Sequence, residues 1–461
     1  MAPSDKDPAG WTDGVSGLAM TLWTVGQRSS GTADLDQAVK LPEYAVASPA
    51  LADHPEQVAQ LKAGLTLVLL TLGSRKTGTE ELEAAERYAR EALEVKTRIT
   101  APLNWARLQN HLGSVLYLHG LREQSNERFE QAEAAFRSAL QVWTRETDPL
   151  SWANAQNNLG IVIGQLGERE AGTKRLWESV GYLEAARDVR NRAIAPLAWA
   201  ESMANLGGTY VDIGRRSGEA GLFDQGVEAF RAAADEISRQ RDPLKWAALQ
   251  VNIGIALSAK AEAIRQAEPL KEALDAFELA LEERSREKVP LDWAATMNSI
   301  GNAYNRLGSL TNDPDAYRAA IRAFNQALGE LTPERAVTDW ARAQNNLANA
   351  LSTLGEIEKD VDSLSQAVVH YRLALQAYPV DENPSAHAET QFNLAVALLA
   401  IARGTGSQEA LDATREAAQA SYEVYSAAGQ TQYEPYFVQI QAGIDAVQAA
   451  IDKQKAKKRK K

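Results

Sequence analysis

The sequence predicts an all-α protein built as an α-solenoid of stacked helix pairs. Tryptophan recurs with a fixed period of 47 residues, and proline and glycine columns keep the same register. Between these columns, apolar residues recur at helical spacing. A single pair of such helices cannot bury its apolar faces alone, so each pair must stack on its neighbours.

The repeat register is continuous along most of the chain. The tryptophans that define offset zero are Trp105, Trp152, Trp199, Trp246, Trp293 and Trp340. The same count gives nine repeats over residues 8–430. Proline occupies offset −3 in eight of the nine repeats, glycine occupies offset +15 in seven, and a large apolar residue occupies offset +24 in all nine. Because these columns share one register, chance does not explain them.

Each repeat is predicted to contain a helix A and a helix B. Asp148-Pro149 and Asp242-Pro243 place an N-cap acceptor before a proline at the first helical position, so helix A begins there. The glycine at +15 is expected to end helix A in a left-handed conformation. Helix B follows a polar loop, as at 129–140.

The ends of the chain lie outside the repeats. Residues 1–7 are predicted to be an N-terminal extension. Residues 431–452 carry apolar side chains at helical spacing and are predicted to form a capping helix. Residues 453–461, KQKAKKRKK, form a basic tail with seven Lys or Arg. This tail is interpreted either as a solubilising frayed end or as a contact for an acidic protein, nucleic acid or membrane surface.

Composition excludes several classes of protein. The chain has no Cys, which excludes disulfides, thiolate nucleophiles and Cys-ligated zinc. The longest apolar run, Leu394 to Ala402, is far shorter than the roughly 20 residues of a membrane span. A net charge of −12 predicts that the folded body repels nucleic acid, so only the tail could bind it. We therefore expect a soluble, cytoplasmic protein.

The repeat resembles the tetratricopeptide repeat (TPR). Leu-Gly at +7 and +8, with a small residue, an aromatic residue and Ala in helix B, carries the resemblance, as in Ala273, Phe277 and Ala280. The 47-residue repeat is longer than the family norm of about 34, and its PLxWAxxQNNLG pattern is similar to arrays in bacterial TPR proteins. The resemblance implies a right-handed superhelix whose A helices line a concave groove that binds protein segments.

Helical geometry assigns the columns of helix A to faces. Offsets 0, +7, +11 and +14 form one stripe with the Trp and Leu columns, which we expect to be core. Offsets +1 and +8 hold Ala, Gly or another small residue, as needed where helix B crosses closely. Offsets +2, +6, +9 and +13 lie on roughly the opposite side, and we call them the A-helix face. The TPR resemblance places this face in the groove.

An asparagine column at +6 is the main predicted binding feature. It comprises Asn158, Asn205, Asn252, Asn346 and Asn393. An amide can pair with both the C=O and the N–H of an extended peptide. Helix layers about 8 to 10 Å apart would meet such a peptide at about every third residue. The column resembles the asparagine ladders of TPR superhelices that grip peptide backbones. The alternative is that these amides only fix the stacking of the repeats.

Further candidate residues flank this column. The asparagines at +5 lie at the edge of the face, and two roles are open for them: they stabilise the stacking of the repeats, or they contact a ligand. They are Asn110, Asn157, Asn298 and Asn345. The Gln column at +4 is interpreted as structural. In the seventh and eighth repeats an anion pocket is predicted, with solvated surface arginine as the alternative. Its residues are Arg306 and Arg342, with Asn298 and Asn345 nearby. In the same two repeats Asn302 and Asn349 occupy variable positions, which are expected to contribute to specificity.

Nothing in the sequence indicates catalysis, a metal or a cofactor. His111 and His119, the one histidine pair within a single helix, are eight residues apart, whereas a two-ligand helical metal motif needs four. The chain is therefore predicted to be a non-enzymatic scaffold, an adaptor or sensor that grips an extended peptide or protein segment. Two alternatives remain: a regulatory subunit that binds a separate effector enzyme through loops or the convex face, and a binder of nucleic acid or acidic surfaces through the tail.

Overall fold

The computed structural model describes residues 7–28, 31–76 and 78–459, and within them the regular structure is helical with no strand. The α-helices in chain order are α1 (Pro8–Arg28), α2 (Ala33–Val46), α3 (Pro55–Arg75), α4 (Glu80–Val95), α5 (Pro102–Glu123), α6 (Asn126–Ala139), α7 (Pro149–Arg169), α8 (Lys174–Val189), α9 (Pro196–Ser217), α10 (Ala220–Ile237), α11 (Pro243–Ile264), α12 (Glu268–Glu283), α13 (Pro290–Thr311), α14 (Pro314–Leu328), α15 (Pro333–Glu358), α16 (Val361–Gln376), α17 (Pro384–Thr405), α18 (Gln408–Ala427) and α19 (Glu434–Arg459). The odd-numbered helices α1 to α17 are the A helices, and the even-numbered ones are the B helices.

The described residues fall into two compact bodies that divide near the end of α10, after Glu236. Within each body, a helix A packs on helix B of its own repeat, on the preceding helix B and on the next helix A. The pairs α7 with α8 and α17 with α18 are examples. This arrangement confirms the predicted all-α solenoid.

Two A helices, α7 and α11, begin with the predicted capping chemistry. The side chain of Asp148 accepts a hydrogen bond from the backbone N–H of Ser151, and Asp242 does the same for Lys245, both at 3.1 Å. The following prolines occupy the first helical position, where a missing N–H leaves no bond unmade.

The glycine at +15 does not end helix A, so that prediction was wrong. In six repeats helix A continues to a left-handed residue at +19: Gln124, Gly218, Arg265, Asn312, Lys359 and Gly406. The +15 glycine instead lies against the +24 side chain of helix B. A Cβ added to Gly308 would be 2.8 Å from Tyr317 Cε2, and one added to Gly120 would be 3.0 Å from Phe129 Cε1. A glycine column alone does not distinguish a close approach from a chain reversal.

Small residues at +8 occupy the predicted crossing point of the two helices. A Cβ on Gly254 would lie 2.6 Å from Phe277 Cε1, and one on Gly207 would lie 2.8 Å from Phe230 Cε1. The +7 side chains Leu159 and Leu347 are fully buried in the core. Helix B therefore packs its aromatic ring directly onto the backbone of helix A, as the spacing predicts.

The Trp column is only half-buried, in contrast to the predicted core position. At Trp199, Trp246 and Trp293 an arginine seven residues earlier covers one ring face. The Arg239 guanidinium lies 5.3 Å from the Trp246 ring centroid, and the Arg286 guanidinium lies at the same distance from the Trp293 ring centroid. Arg239 also forms an ion pair with Glu283. These tryptophans therefore lie at the edge of the core under a cation supplied by the preceding loop.

The C-terminal helix α19 packs on α17 and α18 through Ile440, Ile444, Val447 and Ile451, all buried. It continues to Arg459, so the described part of the predicted tail is helical. Residues 460–461 of that tail, and residues 1–6 of the N-terminal extension, lie outside the described residues. None of the helices described is long and apolar enough to cross a membrane.

Candidate peptide-binding face of the A helices

In the first body, the asparagines at +6 and +5 pair between repeats. Asn158 Nδ2 donates to Oδ1 of Asn110 at 3.3 Å, and Asn205 Nδ2 donates to Oδ1 of Asn157 at 3.2 Å. Both donors are partly exposed. Each of these +6 amides therefore ties its repeat to the preceding one while its own Oδ1 and second N–H remain available.

The second body contains one such pair and two +6 asparagines without it. Asn346 Nδ2 donates to Asn298 Oδ1 at 3.3 Å. Asn252 and Asn393 are also partly exposed, but their side chains make no hydrogen bond within the described residues. Asn345 lies at +5 one repeat before Asn393, and its buried Oδ1 has no hydrogen-bond partner within the described residues.

A polar network lies beside this face in the first body. Asn157, only 5% exposed, also accepts from Ser202 Oγ at 3.0 Å. Ser202 in turn accepts from Arg190 at 3.0 Å, and Arg190 donates to Asn154 Oδ1 at 2.6 Å. Burial lowers the pKa of the Arg190 guanidinium. Asn157 therefore has a structural role. The role of Arg190 is not visible in the sequence, because its partners lie on two other helices.

The predicted anion pocket contains two guanidiniums that already have acidic partners. Arg306 forms an ion pair with Glu262 and donates to the backbone oxygen of Ser258, and Arg342 forms an ion pair with Asp339. The structure therefore offers no uncompensated positive charge at these two residues.

The two asparagines predicted to contribute to specificity in these repeats differ in their contacts. Asn349 Oδ1 accepts from Tyr371 Oη of α16 at 2.6 Å, which fixes the amide against its own helix B. Asn302 is partly exposed and makes no side-chain hydrogen bond within the described part of the chain. Of these two amides, only Asn302 keeps its full hydrogen-bonding capacity.

The Gln column at +4 contains one clear structural contact. Gln344 is 6% exposed, and its Oε1 lies 2.5 Å from His370 Nδ1 on α16. Burial lowers the pKa of His370, so the neutral ring can donate to this oxygen. The contact joins helix A to helix B within one repeat, in line with the predicted structural role of the column.

An acidic region lies at the C-terminal part of the A helices in the first body. Burial raises the pKa of Glu168 and of Asp212, and the negative charge of Asp212 raises the pKa of Glu168 further. Gln165 Nε2 donates to Glu168 Oε1 at 2.9 Å. The first body therefore has carboxyl groups near this face that are protonated more readily than ordinary surface acids.

Comparison with known proteins finds no matching family profile and no matching curated sequence. Solved structures do match. RapI in its apo form is 13% identical with a TM-score of 0.53, over 91% of this chain and 98% of that one. A Pyrococcus horikoshii signal transduction ATPase with numerous domains, which has a tetratricopeptide repeat sensor, is also 13% identical, with a TM-score of 0.51 over 93% of this chain and 65% of that one. The chain has the fold of a TPR-like solenoid. The likeness concerns the fold alone.

Proposed function

We propose that the protein is a binding scaffold, an adaptor or sensor, whose A-helix face holds an extended polypeptide through asparagine amides. The observation that carries the proposal is the row of partly exposed +6 asparagines that keep unused hydrogen-bonding groups. Asn158 and Asn346 each use one N–H for the preceding repeat, which orients the amide and leaves an acceptor and a donor. Those two groups match the N–H and C=O of a peptide backbone.

Substitution of Asn252 and Asn393 tests ligand binding without disturbing the stacking of the repeats. Within the described residues, the side chains of Asn252 and Asn393 make no hydrogen bond, so an alanine at either position removes none. We predict that N252A/N393A keeps the wild-type unfolding temperature but binds peptide roughly tenfold to thirtyfold more weakly, since each lost hydrogen bond is worth about 1 kcal/mol. Fluorescence polarisation of a peptide selected from a random phage-displayed library measures the affinity.

Two further variants serve as comparisons in the same assay. Asn325→Ala removes an exposed amide on α14 that bonds only to its own helix, and it should change nothing. Asn346→Ala also breaks the bond to Asn298, so it should lower both stability and affinity. A double variant N252A/N393A that binds the peptide as tightly as wild type would overturn the proposal that this column binds the peptide.

A further inference from the structure

A cleft of about 510 Å³ opens on the A-helix face of the first body, lined mainly by α1, α3 and α5, with Pro42 of α2 and with Lys96, which follows α4. Its apolar lining includes Leu61 and Leu108, which are almost fully buried, and the buried Ala19. Ligand sites in proteins generally have volumes of about 300 to 1000 Å³. The cleft therefore has the size and the apolar surface of a binding site.

The cleft exists because side chains present in later repeats are missing here. At +6, where five of the six later repeats carry Asn, the first three repeats carry Gly17, Gly64 and His111. At +31, where Phe230 packs in a later repeat, the first repeat has Pro42. Gly64 and Pro42 both line the cleft. A Cβ added to Gly64 would meet nothing within 4 Å, so this position faces open space.

Three polar groups at the cleft have unused capacity. Ser16 Oγ is buried and has no hydrogen-bond partner within the described residues. The exposed Arg107 makes no ion pair or side-chain hydrogen bond in the same part of the chain, whereas Lys96 pairs with Glu56. Burial, and secondarily the charge of Arg107, lowers the pKa of His111 to about 4. The cleft therefore combines an apolar lining, a neutral imidazole and one uncompensated positive charge.

We propose that this cleft binds a large apolar side chain of the bound peptide together with the carboxylate of a neighbouring acidic residue. The apolar group would pack on Leu61 and Leu108, and the carboxylate would pair with the Arg107 guanidinium. The inference rests on the proposed function, which it extends by naming the side chains that give specificity. In this arrangement the amides of Asn158 and Asn205 in the same body hold the backbone, and the first three repeats select the sequence.

Selection from a phage-displayed library of random 12-residue peptides, with the full chain as bait, tests this inference. Peptides recovered with the wild type should share an aromatic or large aliphatic residue next to Asp or Glu. Gly64→Leu fills the cleft without a Cβ clash and should weaken their binding about tenfold or more. Arg107→Gln should weaken binding of an acidic peptide, but leave unchanged the binding of the same peptide with Asn or Gln in place of the acid.

Gly181→Leu is the matched control, because Gly181 is an exposed helical glycine on α8 whose added Cβ also meets nothing within 4 Å. It should bind as the wild type does. Recovered peptides that lack the apolar-acidic pair, or that bind the Gly64→Leu and Arg107→Gln variants like wild type, would overturn the cleft inference and leave the scaffold function standing. Recovery of no peptide at all by the wild-type chain would overturn both.

Discussion

At the scale of single residues, the asparagines divide by their hydrogen bonds. Asn158, Asn205 and Asn346 each donate to an asparagine of the preceding repeat, whereas Asn252 and Asn393 do not. The sequence predicts the +6 column from helical periodicity alone. It does not predict the pairing, because a bond between residues 48 apart depends on how adjacent A helices are displaced. The contacts of Arg190 are not predicted by the sequence either, because they also depend on how neighbouring helices are placed.

The lowered pKa of His111 predicts that the stability of the folded protein depends on pH. Its folded-state pKa of about 4 lies below the usual value of 6.5, so folding disfavours its protonated form. The resulting stability is complete above pH 6.5 and is lost as the pH falls toward 4. The loss is roughly 1 to 3 kcal/mol, allowing for the partial exposure of the ring. Thermal unfolding at pH 7 and pH 5 should show a smaller pH-dependent fall in Tm for His111→Gln than for wild type. Equal falls would contradict the assignment.

At the scale of elements, glycine and arginine determine how the helices meet. Glycines at +8 and +15 admit a helix B side chain against the helix A backbone. Arg216 near the end of α9 donates to four backbone oxygens at the end of α7 and in the loop after it: those of Gly167, Glu168, Glu170 and Gly172. The sequence predicts the glycine contacts at +8 from facing small and aromatic columns. It does not predict the arginine contacts, because every residue has a backbone carbonyl and no residue type identifies the acceptor.

Gly207 and Gly208 are adjacent in α9 and test the packing argument. A Cβ on Gly207 would lie 2.8 Å from Phe230 Cε1 and 3.0 Å from the backbone oxygen of Gly226, whereas one on Gly208 would meet nothing within 4 Å. We predict that Gly207→Ala destabilises the protein by about 1 to 3 kcal/mol. Gly208→Ala should stabilise it by up to about 1 kcal/mol, since alanine favours the helix. Urea unfolding measures both, and equal effects would refute the close contact.

At the scale of the whole molecule, the regular period is what makes the fold predictable. Each helix pair contacts mainly its neighbours, so a local pattern repeated nine times determines the architecture. The division into two bodies near the end of α10 was not predicted, since the repeat register passes through it without a break. The sequence does not predict the cleft either, because the cleft results from side chains that are absent from the first repeats.

The central claim is that amides of the A-helix face bind the peptide backbone and not particular side chains. An N-methyl scan of a selected peptide tests it most directly, since each methyl group removes one backbone donor. With helix layers about 8 to 10 Å apart and about 3.3 Å per extended residue, methylation at about every third position should weaken binding to the full chain. The claim would be contradicted if N-methylation weakened binding at no position and only side-chain substitutions changed the affinity.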